Sequence, residues 1–331
     1  MSRLVLLFKG LGLVILCLLL FGCKPHFENH LRIAANNWIG YTPLYLAEEL
    51  SLFHSSQIKM IEMPSSSEVI HAFRSGSIDV AALTLDETLT ILEDQYDIRL
   101  LLVMDISDGS DVLLAKPYID SLHDLKGKKI AVEYNAVGAL VLDHALNEVG
   151  LSPRDIDMQS CNFDAHLACY EQNDAIVTFD PVKTKLMNKG AKLLYSSKQM
   201  PNVILDVLVT TQQVIDNQPE QLQALVNAYF NARTLLSDSP ATAIAHISHA
   251  LKIPEDELKQ AFTGVKLPDY AQNHQLLTGD NPLLDDTIQR LQTTMIERNL
   301  LSRMLETEQL INPTFIENTT TSSAVLRGVS E

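Results

Sequence analysis

The sequence predicts an α/β protein of two lobes joined by two chain crossings. Three observations carry this. Strand and helix patterns alternate over residues 31–106 and again over 128–188, a continuous apolar run follows at 203–209, and the chain beyond it is almost entirely helical. Such alternation gives mostly parallel sheets with helices on both faces. The helical return makes lobe one discontinuous, and 331 residues suffice for two separate cores.

In the first set, residues 31–35 read as a strand and 43–50 as a helix with Pro43 in its first turn. Residues 58–63 alternate as a strand, and 67–74 form a helix closed by Gly76. A strand at 79–83, a helix at 86–94 and a long apolar strand at 99–106 complete it. After a loop at 107–111 comes a strand at 112–115. The second set places strands at 128–133, 157–161 and 174–178, with helices at 137–149, 164–172 and 181–188. Later helices open at Pro219, Pro240 and Pro254, the first carrying Leu222, Leu225, Val226, Tyr229 and Phe230 on one face, and another spans 283–300. Lobe one therefore takes residues 31–108 and 208–312, and lobe two 112–204, with crossings near 107–112 and 203–208. Residues 313–331, rich in Asn, Thr and Ser, are expected to be disordered. A ligand belongs between such lobes, near strand C-termini and helix N-termini.

The N-terminus departs from this pattern. Arg3 and Lys9 precede an apolar run at 11–21, broken only by Gly12, and Leu20-Phe21-Gly22-Cys23 follows. This is the layout of a secretory signal over residues 1–22. Its end resembles the bacterial lipobox, which implies that Cys23 becomes a lipidated N-terminus with residues 23–30 as a tether. The alternative is an uncleaved membrane helix, barely long enough and interrupted by Lys9. Either way the folded part is expected on the periplasmic side of a membrane, inner or outer.

Loss of residues 1–22 removes two cations and no acid, taking the net charge from −16 to −18. That disfavours nucleic acid and anionic membrane surfaces as partners. Cys161 and Cys169 lie in a compartment that permits a disulfide. Their spacing allows a bridge, but two separate half-buried thiols are the expectation. Catalysis finds little support, since nucleophile-elbow, zinc and phosphate-loop motifs are lacking. His246 and His249 share a helix face without a third ligand, so surface placement is expected and neither metal nor cofactor is assigned.

A resemblance extends over residues 31–236. Ile33-Ala-Ala-Asn-Asn-Trp-Ile-Gly-Tyr-Thr-Pro-Leu-Tyr-Leu-Ala is similar to the opening of solute-binding proteins in the nitrate/taurine/sulfonate group of ABC importers, which includes binders of the thiamine pyrimidine precursor. Gly76-Ser-Ile-Asp-Val-Ala-Ala-Leu-Thr-Leu-Asp-Glu, Asp124-Leu-Lys-Gly-Lys-Lys-Ile-Ala-Val-Glu, Asp174-Ala-Ile-Val-Thr-Phe-Asp-Pro-Val, and Asp206-Val-Leu-Val with Asn217-Gln-Pro-Glu add to it. The resemblance implies a type II periplasmic-binding-protein fold, with two lobes closing on a small organic solute containing nitrogen or sulfur. It implies ABC permease and ATPase subunits as partners and a monomeric, non-enzymatic receptor. A sensory protein signalling to a membrane kinase or cyclase is the first alternative, and an enzyme on the same fold the second.

The expected ligand-binding residues fall on these motifs. Trp38, the one tryptophan, lies with Gly40 and Tyr41 in a strand-to-helix loop where aromatics can stack on a planar ligand. Thr84 and Asp86 stand at a helix start, as do Tyr134, Asn135, Ala136 and Gly138 in the other lobe; such starts offer free backbone N–H groups. Phe179 and Asp180 end the strand of the fourth motif. Asp206 interrupts the run 203–209 and Asp105 the run 99–106. A buried carboxylate must find solvent, a hydrogen bond or a ligand. With Asp108 and Asp111 nearby, the cleft is rich in acceptors and without a matching Arg or Lys cluster. That suits a solute with amino, ring N–H or hydroxyl donors; a zwitterion with its acid on helix N-termini also fits.

Overall fold

In the computed structural model of the chain, residues 30–53, 57–134, 137–279 and 282–319 are described. The expected signal, Cys23, Asn135, Ala136 and residues 320–331 lie outside them. The first set is β1 (Leu31–Ala35), α1 (Thr42–Glu49), β2 (Ile58–Glu62), α2 (Ser66–Arg74), β3 (Val80–Thr84), α3 (Leu85–Glu93) and β4 (Ile98–Ser107), each boundary within one residue of expectation. The second set is β5 (Val112–Ala115), β6 (Lys129–Val132), α4 (Val137–Glu148), β7 (Asp157–Ser160), α5 (His166–Gln172), β8 (Ala175–Thr178), α6 (Val182–Asn188) and β9 (Lys192–Ser196). Two of these differ from the expected pattern. A 3-10 turn, Phe163–Ala165, precedes α5, and β9 is an additional strand. As an edge strand pairing only with β5 it leaves Leu193 half exposed, so no period-two pattern marks it.

The return comprises β10 (Leu205–Thr211), α7 (Gln212–Asn217), α8 (Pro219–Asp238), α9 (Pro240–Leu251), α10 (Glu255–Ala261), the short β11 (Val265–Lys266), α11 (Tyr270–Leu277), α12 (Leu283–Glu297) and α13 (Thr314–Glu317). The expected apolar face of α8 is buried, and Tyr229 donates from it to the Met104 carbonyl at 2.8 Å. The disorder expected from residue 313 is overturned for the described part. α13 buries Phe315 and Ile316, two apolar side chains that outweigh the polar composition around them.

Lobe one is built on a six-stranded sheet, β11-β4-β10-β3-β1-β2, and lobe two on a five-stranded sheet, β7-β6-β8-β5-β9. The sheets are mixed rather than mostly parallel. β1–β2, β1–β3, β6–β7 and β6–β8 pair in parallel, while β10 and β5 run antiparallel to their neighbours. The reason is the crossing itself. Strands followed by a helix end at the cleft, whereas β5 and β10 enter their sheets from the cleft straight after a crossing and run away from it. The outward crossing lies at residues 108–111. The return ends at residue 204, earlier than expected, since Leu205 already pairs with Ile106 in lobe one.

Candidate functional site

The cleft is organised by sheet register. On β10, Asp206 stands opposite Thr84 of β3 on one side and Asp105 of β4 on the other. Three polar side chains thus line up across the cleft end of an otherwise apolar sheet. Two carboxylates on directly opposed positions repel unless one is protonated. Burial pushes Asp206 well above the ordinary carboxylate range, and the charge of Asp105 adds to it. Burial also lifts Asp105 to about 7, opposed by hydrogen bonds with Trp38 and Asp206. The two behave as one titrating pair.

The loop after β1 supplies the aromatic partners of this pair. Trp38 Nε1 donates to Asp105 Oδ2 at 3.0 Å, and the Tyr41 hydroxyl donates to Asp206 Oδ1. Burial, with the Asp206 charge next, raises the Tyr41 pKa and keeps it a donor. Gly40 is required by close approach, because a Cβ there would lie 1.7 Å from Asp105 Oδ2. Asn36 braces the loop: its Oδ1 accepts from Trp38 N at 3.0 Å, and its Nδ2 donates to Ser66 Oγ at 3.1 Å.

Across the cleft, Phe179 at the end of β8 meets the Trp38 ring edge-on with centroids 5.2 Å apart. Behind it Phe163 stacks on Phe179 at 4.3 Å. His166, edge-on to both rings, bonds Thr178 Oγ1 through Nδ1 at 2.9 Å, and burial lowers its pKa to about 4, keeping it neutral. Cys161 and Cys169 flank this group and are joined by a disulfide, where two separate thiols had been expected. The turn at Phe163–Ala165 folds α5 back over the end of β7, which brings the two sulfurs together.

Between these walls lies a narrow cavity lined by residues of both lobes and of the outward crossing, among them Asn36, Ser66, Val137 and Asp111. Asp111 is 3% exposed, and its Oδ2 has no hydrogen-bond partner. Burial lifts its pKa to about 7; Ser107 and Lys183 pull it down, and the charges of Asp86 and Asp180 push it up. Of the expected residues, the structure brings Trp38, Tyr41, Thr84, Asp111, Phe179 and Asp206 to this cavity, and Gly40 lies directly behind it.

The remaining described residues lie outside the wall of this cavity. Asp86 and Tyr134 line a separate groove with Arg74, Glu87 and Met295, and burial lifts Asp86 to about 6. The Tyr134 hydroxyl is held by the Met158 carbonyl at 2.6 Å. Asp108 pairs with Lys266 at 2.9 Å at the surface, because its side chain turns toward β11. Asp180 holds the start of α6, accepting from Thr184 N and Thr184 Oγ1, while Lys183 Nζ binds its other oxygen at 3.0 Å. Gly138 is a packing glycine, with Val132 Cγ2 3.1 Å from where its Cβ would lie.

Two acids that the motif reading passed over span the cleft. Glu87 forms a capping box with Thr84, and its Oε1 accepts from Val137 N of lobe two at 3.3 Å. Glu133, directly after β6 in lobe two, accepts from Ser67 N of lobe one at 2.9 Å. Burial lifts Glu87 to about 8, with the Asp86 charge adding to it. The sequence signal for Glu87 was its place three residues after Thr84 at a helix start. Nothing local marks that either carboxylate crosses to the other lobe. Among the described residues, no group of three His, Cys, Asp or Glu is placed to hold a metal ion, and His249 is exposed against Glu49.

Comparison with known proteins adds four findings. The family model described as NMT1/THI5 like matches residues 38–243. The taurine-binding periplasmic protein of Escherichia coli strain K12 is 23% identical over 239 residues, which cover 69% of this chain and 74% of that one. Among solved structures, the alkanesulfonate-binding protein SsuA from Xanthomonas axonopodis pv. citri bound to MOPS superimposes with a TM-score of 0.71 at 19% identity, covering 86% of this chain and 98% of that one. The desulfurization enzyme DSZB shares the fold with a TM-score of 0.65 at 16% identity, covering 88% and 98%.

Proposed function

As the chain belongs to the NMT1/THI5-like family, we propose that it is the extracytoplasmic solute-binding lipoprotein of an ABC importer, closing two lobes on a small organic solute containing nitrogen or sulfur. The observation that carries this reading is the cavity walled by both lobes and by the crossing between them, so that a bound solute touches every part that moves. The relatives named as binding proteins for taurine and for alkanesulfonates support a receptor role and a periplasmic location.

In this reading Trp38 and Phe179 give the site its shape, Asp111 and Asp206 orient the solute, and the closed lobes present a surface to permease and ATPase subunits. Ligand need favour the closed form by only a few kcal/mol to shift the population. Cys23 would carry the lipid that keeps the monomer near those subunits. Thermal-shift and small-angle scattering measurements with amines, sulfonates and pyrimidines test solute capture; unchanged melting and unchanged radius with every class would refute it. Labelling with a fatty-acid analogue tests the anchor, which must vanish in Cys23→Ser. Because an enzyme shares the fold, chemical conversion of a bound solute would replace the receptor reading with a catalytic one.

A further inference from the structure

We propose that the Cys161–Cys169 bridge is a positioning element of the solute site: it holds Phe163 behind Phe179, and opening it with a thiol reductant loosens the lobe-two wall of the cavity. The inference rests on the solute-capture reading above for the meaning of that wall, while its geometry involves the protein alone.

Phe179 is the aromatic side chain that lobe two contributes to the cavity lining. Trp38 of lobe one meets its ring edge-on at 5.2 Å. Its other ring neighbours, Phe163 stacked at 4.3 Å and His166 at 6.0 Å, both come from the short stretch between Cys161 and Cys169. Both are buried. A stacked ring fixes its neighbour only as well as the backbone beneath it is fixed.

That backbone is secured at its two ends and little between. At one end the Cys161 N–H continues the β6–β7 pairing by donating to the Val132 carbonyl at 3.1 Å. At the other, the Tyr170 hydroxyl of α5 donates to the Ala115 carbonyl at 3.0 Å. His166 has its own anchor in Thr178, so Phe163 is the ring that depends on the turn. The Phe163–Ala165 turn has no side-chain cap, and neither has α5. With seven residues, α5 is too short to be a stable helix without such ties. The bridge spans the turn and closes a short loop, which leaves the turn few conformations.

Reduction reverses this. A dithiol supplies two electrons and two protons, the S–S bond breaks, two thiols form on the protein, and the reductant leaves as its own disulfide. Cys169 is half-buried and Cys161 buried, so Cys169 offers the sulfur that an attacking thiolate reaches first. Phe163 then loses its fixed place, and Phe179 its backing.

The test reads the wall through Trp38, the one tryptophan, whose own supports, Asp105 and Asn36, lie in lobe one. Acrylamide quenching of its fluorescence is measured on the detergent-solubilised full-length protein, oxidised and after dithiothreitol. Thiols are counted, and circular dichroism checks that the fold is retained. Reduction is expected to raise the quenching constant at least about twofold, as local opening admits the quencher. Phe163→Ala with the bridge intact should show the same rise. The Cys161→Ser/Cys169→Ser double variant should show it without reductant and gain nothing when reductant is added. Should the double variant or the reduced protein unfold, oxidised Phe163→Ala decides. Unchanged quenching in the folded reduced protein, or in oxidised Phe163→Ala, overturns the proposal, because a bridge that only stabilises would lower Tm and leave Trp38 as it was. Solute capture is judged by melting and scattering with added solutes, so it stands or falls independently of this result.

Discussion

Replacing Asp111 by asparagine is expected to make the ligand-free protein more stable while making it a poorer receptor. The carboxyl is fully buried, and its pKa rises from 3.8 to about 7, chiefly through burial. An acid raised in this way is stabilising while protonated. Its contribution is fully present below the unfolded value near 3.8 and falls away as pH rises through about 7. At about 1.36 kcal/mol per pH unit, the raised pKa costs the fold roughly 4 kcal/mol at pH 8, where the buried carboxyl is ionised, and roughly 2 kcal/mol at pH 5, where folding must protonate it. The Asp111→Asn substitution removes that burden but buries an amide NH2 at a site that offers it no acceptor, at a cost of about 1 kcal/mol. The net gain is then roughly 3 kcal/mol at pH 8 and roughly 1 kcal/mol at pH 5, or about 6 °C or more in Tm at the higher pH. Asp86, Asp105, Asp180, Asp206 and Lys183 act on the cavity in both proteins, so the quantity to measure is the difference between wild type and variant. Differential scanning fluorimetry and urea unfolding of ligand-stripped protein at the two pH values provide it. Equal or lower stability of the variant at pH 8, or a gain that ignores pH, would refute the reasoning.

Other perturbations test other parts of the cleft. Gly40→Ala forces a methyl into the space of Asp105 Oδ2 and is expected to lose about 1–3 kcal/mol or more in urea unfolding. Cys161→Ser, or reduction of the bridge to Cys169, opens a short loop and should lower stability by about 2–3 kcal/mol, seen as a lower Tm under reducing conditions. Trp38 is the one tryptophan and sits against Phe179, so solute binding should change its fluorescence, and Phe179→Leu should alter that change. Glu133→Gln weakens a charge-assisted bond between the lobes by about 1 kcal/mol, and scattering should then report a larger open population.

Much of this architecture was legible in the residues. Strand and helix periods are local, and the boundaries of the first set fell within one residue of expectation. Acids interrupting apolar runs drew notice to Asp105 and Asp206, because a buried charge is conspicuous in an apolar strand, and the two stand opposite each other in the sheet. The loop motif located Trp38, Gly40 and Tyr41 for a similar reason: a lone tryptophan and a glycine between two aromatics are unusual and sit at a strand end. Nearness in sequence does not carry Asp108 and Asp180 onto the cavity wall: one turns to Lys266 and the other holds α6. Which way a side chain turns depends on the partners that the fold brings to it, and periodicity carries no record of them.

By itself the sequence determined the α/β class, the two alternating sets, the helical return and the acidic, aromatic character of the cleft, because each follows from composition and short-range period. Only the tertiary structure decided which of those residues meet. Register across β3, β10 and β4 put Thr84, Asp206 and Asp105 in one line, and the turn before α5 joined Cys161 to Cys169. The packing of the two lobes set Glu87 and Glu133 against opposite helix starts and left Asp111 Oδ2 without a hydrogen-bond partner. The physical reason is that hydrogen bonds, pKa shifts and close approaches are set by distances of a few ångströms between segments far apart in the chain.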